Sequence, residues 1–459
     1  MNDDTKAKLA RIVGDDFYTD KLIDLVSYSY DASEHHHRPS LAVWPQTTEQ
    51  IQDIIKLANQ EGFAVVPRGA GTGLAGLAVP ARGGVVMDLA RMNKILDISI
   101  EDRVAVVQPG VVYNDLDLAL APHGFFFPPD PSSGKVCTLG GNVGTNAGGI
   151  KGAKYGNTRD YVLGLEVVLG DGRVMRSGGR AIKTASGYDL RALFVGSEGT
   201  LGVVTEITLK INPRPLSSAT AVAVFDRLED AGLAVSRIMS SGVIPSVLEI
   251  LGRETLRAIN ENTDLALPEV DALLLVETDG YTTEEADYQM ARVVEIMETT
   301  GAANIKRAAG PEEAAELWKA RKSAYAVLAR IKPNFILEDV TVPMSRLAET
   351  LRGILEISQK YNVQIATFGH AGDGNLHPQF LWNGADPDET RRVELAAGEL
   401  FELAVKLGGT LTGEHGIGLS KAPYMALEHD ATSMEMMRGI KALFDPNNVL
   451  NPGKMALED

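Results

Sequence analysis

PRGAGTGLAG, at residues 67–76, follows directly on the apolar run AVVP at 64–67. The apolar run predicts a buried strand, and the glycines predict a loop after it. Gly71 and Gly76 fit the G-x-G-x-x-G spacing of dinucleotide-binding βαβ units, in which a helix follows at once and an acidic residue comes about 20 positions on. Neither follows here, because a proline and two glycines interrupt the next eight residues, and Asp88 comes 12 residues after Gly76. The loop is therefore interpreted as a concave nest of backbone N–H groups that suits an anion such as a pyrophosphate.

A second glycine-rich stretch, TLGGNVGTNAGG at 138–149, is interpreted in the same way, with Thr138, Thr145 and Asn146 as side-chain donors. Neither stretch matches G-x-x-x-x-G-K-[ST], so a P-loop NTPase is not expected. Two anion-binding loops in one half of the chain indicate a large phosphorylated cofactor held across both.

The rest of the first half alternates short apolar runs with turns. After Thr47, apolar side chains recur with helical spacing as far as Gly62, which predicts a helix with a capped start and a glycine end. YVLGLEVVLGDGRVM at 161–175 predicts a β-hairpin that turns at Asp171 and Gly172.

The second half, after INPRP at 211–215, has a different pattern, in which long helical stretches alternate with short apolar runs. Helical periodicity predicts helices at 226–241, 283–300, 311–331, 344–360 and 388–408. Apolar runs predict strands at 221–225, 273–279, 335–342 and 363–368. This alternation predicts an α+β domain with helices on one face of a largely antiparallel sheet.

Charge and cysteine count exclude several classes of protein. The 459-residue chain has 44 basic and 61 acidic residues, and its net charge of −17 argues against binding to nucleic acid. The one cysteine, Cys137, cannot form an intrachain disulfide or a cysteine-based zinc or iron–sulfur site. The N-terminal MNDDTKAKLARIVGDD has no apolar core, and no apolar run approaches the ~20 residues of a membrane span, so neither a signal peptide nor a span is expected. A cytoplasmic location is expected, with peripheral contact to a membrane left open.

The chain has only eight histidines, and three of them fall in two short motifs. FGHAGDGNLHP supplies His370 and His377, and TGEHGIG supplies Glu414 and His415. Imidazoles and a carboxylate on neighbouring loops are typical of a metal or catalytic cluster. Adjacent side chains on an extended chain point in different directions, so one of the last pair can bind a metal while the other faces substrate. The run HHH at 35–37 is instead interpreted as a solvated loop.

With these stretches together, the chain resembles the FAD-linked D-2-hydroxy-acid dehydrogenases. These belong to the vanillyl-alcohol oxidase/para-cresol methylhydroxylase flavoprotein superfamily, and the resemblance is to the branch of D-lactate dehydrogenase and the glycolate oxidase catalytic subunit. It covers nearly the whole chain. The motifs that carry it occur in family order: PRGAGTGLAG, PPDPSS with TLGGNVGTNAGG, KYGNTRDYV, VGSEGTLGVVTEITL, GHAGDGNLHP, TGEHGIG and FDPNNVLNPGK.

The resemblance implies an α+β fold with a two-subdomain FAD-binding domain and a cap domain whose antiparallel sheet is covered by helices. The expected boundaries are an FAD-binding domain at 1–212, a substrate or cap domain at 213–409, and a C-terminal segment at 410–459 that returns to the FAD domain.

The resemblance also implies which residues contact FAD. The first loop would hold the pyrophosphate, the second would line the flavin side, and a third group with a tail residue would hold the adenine or ribitol end. In that order these residues are Arg68, Gly69, Ala70, Gly71, Thr72 and Gly73; Pro129, Thr138, Gly141, Gly144, Thr145, Asn146 and Gly148; and Glu198, Gly199, Gly202, Val203 and Asn451. The stretch GTGLAGLAVP lacks the histidine through which many superfamily members tether FAD, and it has no cysteine or tyrosine, so the FAD is expected to be non-covalent.

For the reaction, the resemblance implies a divalent metal bound by His370, His377 and Glu414, with His415 as the base and Arg321 as the partner of the substrate carboxylate. Two histidines and a carboxylate suit Zn²⁺, Mn²⁺ or Fe²⁺ alike. Nearby polar residues of the GHAGDGNLHP turn are either orienters of the metal histidines or turn formers, and the sequence leaves both roles open; these are Asp373 and Asn375.

The implied activity is oxidation of a small D-2-hydroxy acid, such as D-lactate, to the 2-oxo acid by hydride transfer to flavin N5. Dicarboxylate enzymes of the family place a lysine where this chain has Leu337, and Lys332 lies five residues earlier. Alternatives are a D-2-hydroxyglutarate or glycolate dehydrogenase, a flavin-binding subunit of a larger oxidase complex, and a metal-dependent hydrolase without flavin. The implied partners are the substrate and an electron acceptor, either a quinone, a cytochrome or an electron-transferring flavoprotein. A homodimer is compatible with the sequence.

Overall fold

The computed structural model describes residues 1–458 of the chain. In chain order its α-helices are α1 (Asp3–Val13), α2 (Leu22–Ser27), α3 (Thr48–Glu61), α4 (Tyr113–Leu120), α5 (Leu139–Thr145), α6 (Gly152–Tyr155), α7 (Arg191–Phe194), α8 (Leu228–Ser240), α9 (Arg253–Asn262), α10 (Thr283–Thr299), α11 (Pro311–Leu328), α12 (Leu347–Tyr361), α13 (Pro387–Lys406), α14 (Met425–Glu428) and α15 (Ala431–Phe444). Short 3-10 turns lie at Ala121–His123, Thr158–Asp160, Met344–Arg346 and Ala422–Tyr424. Within residues 1–458, no helix has the length and apolar character needed to cross a membrane.

The strands fall into four sheets. They are β1 (Tyr18–Thr19), β2 (Leu41–Val43), β3 (Val65–Arg68), β4 (Val85–Asp88), β5 (Ile95–Ser99), β6 (Val104–Val107), β7 (Phe125–Phe126), β8 (Val162–Leu169), β9 (Val174–Gly178), β10 (Gly202–Lys210), β11 (Asn212–Pro213), β12 (Ser217–Phe225), β13 (Val247–Gly252), β14 (Ala272–Gly280), β15 (Asn304–Arg307), β16 (Asn334–Leu337), β17 (Val340–Thr341), β18 (Gln364–His370) and β19 (Asn375–Trp382).

Local chemistry explains the predicted elements of the first half. The Thr47 side chain caps α3 by accepting from the backbone N–H of Gln50, and Gly62 ends the helix in the left-handed region. The predicted hairpin is confirmed as the antiparallel pair β8–β9. Its turn has Gly172 at φ +84°, and the Asp171 carboxylate accepts from the backbone N–H of Arg173.

The second glycine-rich stretch differs from its prediction as an open loop, because most of it forms α5. The Thr138 hydroxyl accepts from the N–H of Gly141 at 3.2 Å, which starts the helix, and Asn146 ends it at φ +55°. A side-chain cap at one end and a left-handed residue at the other offset the low helix propensity of three glycines.

The chain divides into two compact units. The first contains Met1–Gly148, Asn157–Arg214 and Glu414–Asp459, and the second contains Gly149–Gly156 and Pro215–Gly413.

The first unit is built on two larger sheets and a small one. The four-stranded sheet has the order β1-β2-β4-β3, with β2, β4 and β3 parallel, and α1 and α3 pack on its apolar residues. The five-stranded sheet has the order β5-β6-β10-β8-β9 and is antiparallel. The chain's C-terminal segment joins this unit, where Leu450 bridges to Val65 and the buried Lys441 donates to the carbonyl oxygens of Thr200 and Leu450.

The second unit contains one antiparallel eight-stranded sheet. Its order is β15-β12-β14-β13-β18-β19-β16, and β17 also pairs with β19. The predicted helices correspond to α8 and α10–α13, whereas β13, α9, β15 and β19 were not predicted.

Helices cover both faces of this sheet, so the prediction of helices on one face is wrong. Leu273 and Leu275 of β14 pack in a cluster with residues of α9 and α11. Thr278 points to the other face, where its hydroxyl donates to a backbone carbonyl of α10. A strand buried on both faces loses the alternation from which a covered face is usually inferred, and β14 reads ALLLVETDG.

Candidate active site

The two predicted anion loops lie against each other in the first unit. A Cβ added at Gly69 would lie 2.3 Å from the Thr138 hydroxyl, and only a glycine permits this approach. By contrast, a Cβ at Gly144 would meet nothing within 4 Å, so open space adjoins the second stretch at that point. A glycine contact that joins the loops and a glycine that borders open space fit a cofactor cradled by both.

Side chains of these stretches predicted to bind the cofactor also make local contacts. The buried guanidinium of Arg68 donates to the carbonyl of Tyr30 at 2.8 Å, and a Cβ on Gly71 would lie 2.1 Å from its Nη2. Thr145 donates to the carbonyl of Gly141, and the Asn146 side-chain oxygen accepts from a backbone N–H. The other predicted residues of these stretches are Ala70, Thr72, Gly73 and Gly148, and Pro129 precedes the second stretch in the chain.

Glu198 and Asn451 connect loops of the first unit. The Glu198 carboxylate accepts from the N–H groups of Ile417 and Gly418 at 2.6 and 2.9 Å, and burial raises its pKa to about 7. The Asn451 amide donates to the carbonyls of Leu77 and Glu198. Their neighbours Gly199 and Gly202 pack closely on apolar side chains, and Val203 belongs to the core. Contact of these residues with the cofactor stays a prediction.

A β-hairpin positions the two histidines of the GHAGDGNLHP motif in the second unit. His370 ends β18 and His377 lies on β19, so His377 is on a strand rather than in the predicted turn. The strand register pairs His370 with Asn375 and Phe368 with His377, which puts both imidazoles on one face of the sheet. Their ring centroids are 5.0 Å apart. Both side chains are buried.

Glu414, the residue after Gly413, completes the predicted set. Ligand atoms of His370, His377 and Glu414 all lie within 4.8 Å of one another, and among residues 1–458 this is the one such group of metal-binding side chains. The HHH run contributes to no group: His36 and His37 are exposed, as predicted, but the His35 ring is half-buried, 3.1 Å from the Ser420 hydroxyl.

Glu249 on β13 contacts both His370 and Arg321. It is fully buried, and its two carboxylate oxygens lie 2.5 Å from His370 Nδ1 and 2.5 Å from Arg321 Nε. Burial opposes its ionisation, but the Arg321 charge and the hydrogen bonds from His370 and Arg321 hold the pKa of Glu249 below its ordinary value. A carboxylate accepts at both contacts, so His370 donates through Nδ1, and in the neutral ring the lone pair then lies on Nε2.

Arg321, on α11, is placed by two contacts. Its Nε donates to Glu249, and its Cζ lies 4.5 Å from the centroid of the Phe368 ring. The side chain is 11% exposed. Within the described part of the chain Arg321 makes no other hydrogen bond, so its two terminal nitrogens keep their donors.

A buried aspartate fixes the backbone just before Glu414. Asp339 accepts from the Thr412 hydroxyl at 2.5 Å and from the N–H of Gly413 at 2.9 Å. A Cβ on Gly413 would lie 2.1 Å from the Asn375 side-chain amide, so glycine is required there. Next to Glu414, the His415 side chain is 11% exposed, and its Nε2 lies 3.8 Å from a Glu414 oxygen.

Family descriptions match both halves of the chain. Residues 39–178 match the FAD binding domain, and residues 214–455 match the C-terminal domain of FAD linked oxidases. The chain belongs to the FAD-linked oxidase family. It is therefore an FAD-dependent oxidoreductase, as the sequence predicted.

Curated relatives place this FAD-linked oxidase in the glycolate oxidase/D-lactate dehydrogenase branch. It is 44% identical to the glycolate oxidase subunit GlcD of Bacillus subtilis over 459 residues, which covers 99% of this chain and 97% of the relative. It is 37% identical to the D-lactate dehydrogenase of Anaerostipes hadrus over 429 residues, 91% and 90% of the two chains.

Solved structures share the fold of this FAD-linked oxidase. p-Cresol methylhydroxylase with bound substrate superposes with a TM-score of 0.82 at 20% identity, over 98% of this chain and 96% of that one. An alkyldihydroxyacetonephosphate synthase gives 0.78 at 19% identity, over 99% and 86%. The predicted α+β fold of the vanillyl-alcohol oxidase type is confirmed.

Sequence reasoning missed three buried polar residues of the second unit: Glu249, Asp339 and Gln379. Gln379 lies two residues after His377 on the same strand face, is fully buried, and neither atom of its amide has a hydrogen-bond partner among residues 1–458. Each sits in an otherwise apolar strand or at its end, in VLEILG, NFILED and NLHPQFLW. A charged or amide side chain in an apolar strand is the signal that would have found them.

Proposed function

We propose that this FAD-linked oxidase oxidises a small D-2-hydroxy acid of the D-lactate type to the 2-oxo acid, with a divalent metal at His370, His377 and Glu414. The observation that carries the proposal is the convergence of these three side chains, with ligand atoms within 4.8 Å of one another. The donor set fits the metal, because two imidazoles and one carboxylate suit Zn²⁺, Mn²⁺ or Fe²⁺. The carboxylate on the far nitrogen of His370 is the partner that metal-binding histidines usually have.

The metal, His415, Arg321 and FAD are each proposed to have a separate role in the oxidation. The metal, when bound, supplies Lewis acidity that lowers the pKa of the substrate hydroxyl. His415 takes the hydroxyl proton, for which an imidazole has a suitable pKa range. The terminal nitrogens of Arg321 bind the substrate carboxylate as a two-donor fork. FAD, when bound, would supply the acceptor for the hydride that leaves C2, a redox chemistry that belongs to the cofactor.

Leu337 supports a small apolar tail on the substrate. It is half-buried in an apolar cluster with Phe335 and pairs across the strands with Gln379. Lys332 lies 3.9 Å from the Glu389 carboxylate, partly exposed, and serves as a surface ion pair rather than a partner for substrate. A distal carboxylate beside Leu337 would lose water without gaining a cation, which is costly.

We therefore expect kcat/KM for D-lactate to exceed that for D-2-hydroxyglutarate by at least about tenfold, equivalent to ~1.4 kcal/mol. Steady-state assays of both acids with an artificial dye acceptor measure the ratio. The variant Leu337→Lys should narrow it by adding a cation. A wild-type preference for the dicarboxylate would disprove the assignment of Leu337 to the substrate tail.

The FAD is proposed to be non-covalent, because the first loop carries no histidine, cysteine or tyrosine. Acid denaturation of the purified protein should therefore release all of the flavin into the supernatant. Absorbance spectra of supernatant and pellet measure the partition. Yellow colour that stays with the precipitated protein would contradict this prediction.

Glycolate oxidation within a larger assembly is the second candidate, since GlcD is named a subunit of glycolate oxidase. The electron acceptor, a homodimer and a cytoplasmic location with peripheral membrane contact stay proposals. A panel of D- and L-2-hydroxy acids that includes glycolate, assayed on the purified chain with a dye acceptor, separates the candidates. Activity on D-lactate by the chain alone favours the first, and activity on glycolate that needs added partner subunits favours the second.

A further inference from the structure

Glu249 hydrogen-bonds both a proposed metal ligand, His370, and the proposed carboxylate partner, Arg321. Its two oxygens bond different elements, because His370 lies on β18 and Arg321 on α11. Glu249 itself lies in the middle of β13, where the strand register pairs it with His370. One carboxylate on a central strand thus fixes the distance between an imidazole and a guanidinium.

The location of Glu249 is costly unless both bonds form. A fully buried carboxylate loses its hydration, and the loss is offset only by close charged or strongly polar donors. Arg321 supplies the opposite charge and His370 supplies the second donor, so both oxygens are used. Removal of either acceptor leaves a buried donor without a partner, which costs more than an ordinary hydrogen bond contributes.

Each bond also orients the far end of its partner. With Nδ1–H bound to Glu249, the lone pair of the neutral His370 ring lies on Nε2. With Nε bound to Glu249 and the guanidinium over the Phe368 ring, Arg321 presents its two terminal nitrogens in a fixed plane.

We propose that Glu249 is a positioning residue that aligns His370 for the metal and Arg321 for the substrate carboxylate at the same time. This inference rests on the proposed function. It adds that the metal site and the carboxylate site are built on one shared acceptor, so that a substitution of this acceptor disturbs one site or the other.

Glu249→Gln is the test, because the amide is nearly the same size but has only one accepting oxygen. If the amide oxygen faces His370, the NH₂ opposes the Nε–H of Arg321. If the NH₂ faces His370, the ring must move its proton to Nε2 and lose the lone pair that a metal needs. Either orientation breaks one of the two hydrogen bonds made by residue 249, which are called here the His370 arm and the Arg321 arm.

The first readout is metal affinity, which needs no turnover. Equilibrium dialysis of the FAD-loaded protein against Zn²⁺ or Mn²⁺ should show a dissociation constant about 10–100-fold higher than in wild type if the His370 arm is broken. The constant should be unchanged if the Arg321 arm is broken instead. The second readout is KM for D-lactate at saturating metal, which should rise at least about tenfold when the Arg321 arm is broken. In an Arg321→Met background the same substitution should raise KM less than twofold further, because Glu249 acts on substrate through Arg321.

Thr278→Val is the matched control, since it removes a fully buried hydrogen bond on the opposite face of the same sheet. The control should keep both constants within twofold of wild type. The proposal is overturned if Glu249→Gln leaves both constants within twofold, or if the control changes them as much. If wild type itself binds no metal and oxidises no hydroxy acid, the proposed function fails first; if wild type does both and Glu249→Gln is unaltered, only this inference fails.

Discussion

Replacement of His377 by alanine is expected to abolish hydroxy-acid oxidation and to leave FAD bound. The variant removes one of three proposed metal ligands and leaves the glycine-rich stretches at Gly69 and Thr138 untouched. Loss of a ligand from a three-residue site removes the Lewis acid on which the proton loss depends. Dye-linked activity, flavin absorbance and metal content of the same sample measure the three properties.

Chelation provides the chemical counterpart of this variant. A metal-stripped wild type should lose activity, keep its flavin and recover when Zn²⁺ or Mn²⁺ is returned. His36→Ala, which removes an exposed histidine outside the group, is the matched control and should behave as wild type. Full activity in a verified metal-free sample would refute the metal-dependent mechanism.

Replacement of His415 by asparagine should lower the rate of flavin reduction by about 10²–10⁴-fold, the usual contribution of a general base. Asparagine keeps much of the shape and a polar group but cannot accept the proton at neutral pH. Metal content should stay at the wild-type level, because the adjacent Glu414 is retained. Anaerobic stopped-flow mixing with D-lactate measures the rate apart from later steps.

The control for this experiment is substrate affinity. The apparent dissociation constant for D-lactate, from the concentration dependence of the reduction rate, should change little in the variant. A rate within about threefold of wild type would show that the proton leaves by another route.

Local sequence chemistry predicted much of the first unit. Thr47 and Gly62 mark the ends of α3, and Asp171 with Gly172 marks the β8–β9 turn, because caps and turns depend on a few adjacent residues. The same logic was wrong for 138–149, where a threonine cap starts a helix in a glycine-rich sequence. The prediction of a loop counted the glycines and did not consider that the Thr138 hydroxyl can cap a helix.

The candidate site was predictable only in part. The histidines are scarce and clustered in short motifs, and this pattern pointed to the metal group. It can be found without knowing which strands pair in the fold. Glu249 lies 121 residues before His370 in the chain, and its contact depends on the pairing of β13 with β18. β13 was not predicted, so the register that joins the two residues was not available from the sequence.

The unpaired amide of Gln379 has the same explanation. Its place beside His377 follows from the two-residue period of β19, whereas the sequence of this motif predicts a glycine-rich turn. A turn has no such period, so the sequence could not predict which side chains of the motif lie on the same face as His377.

The most direct test of the account is anaerobic reduction of the bound flavin by single hydroxy acids. Metal-loaded protein is mixed with D-lactate, and separately with L-lactate, and the visible flavin absorbance is followed without any added acceptor. We predict that D-lactate bleaches the flavin fully and that L-lactate does so far more slowly. Retention of the oxidised flavin spectrum with D-lactate, glycolate and every other 2-hydroxy acid tested would contradict the account.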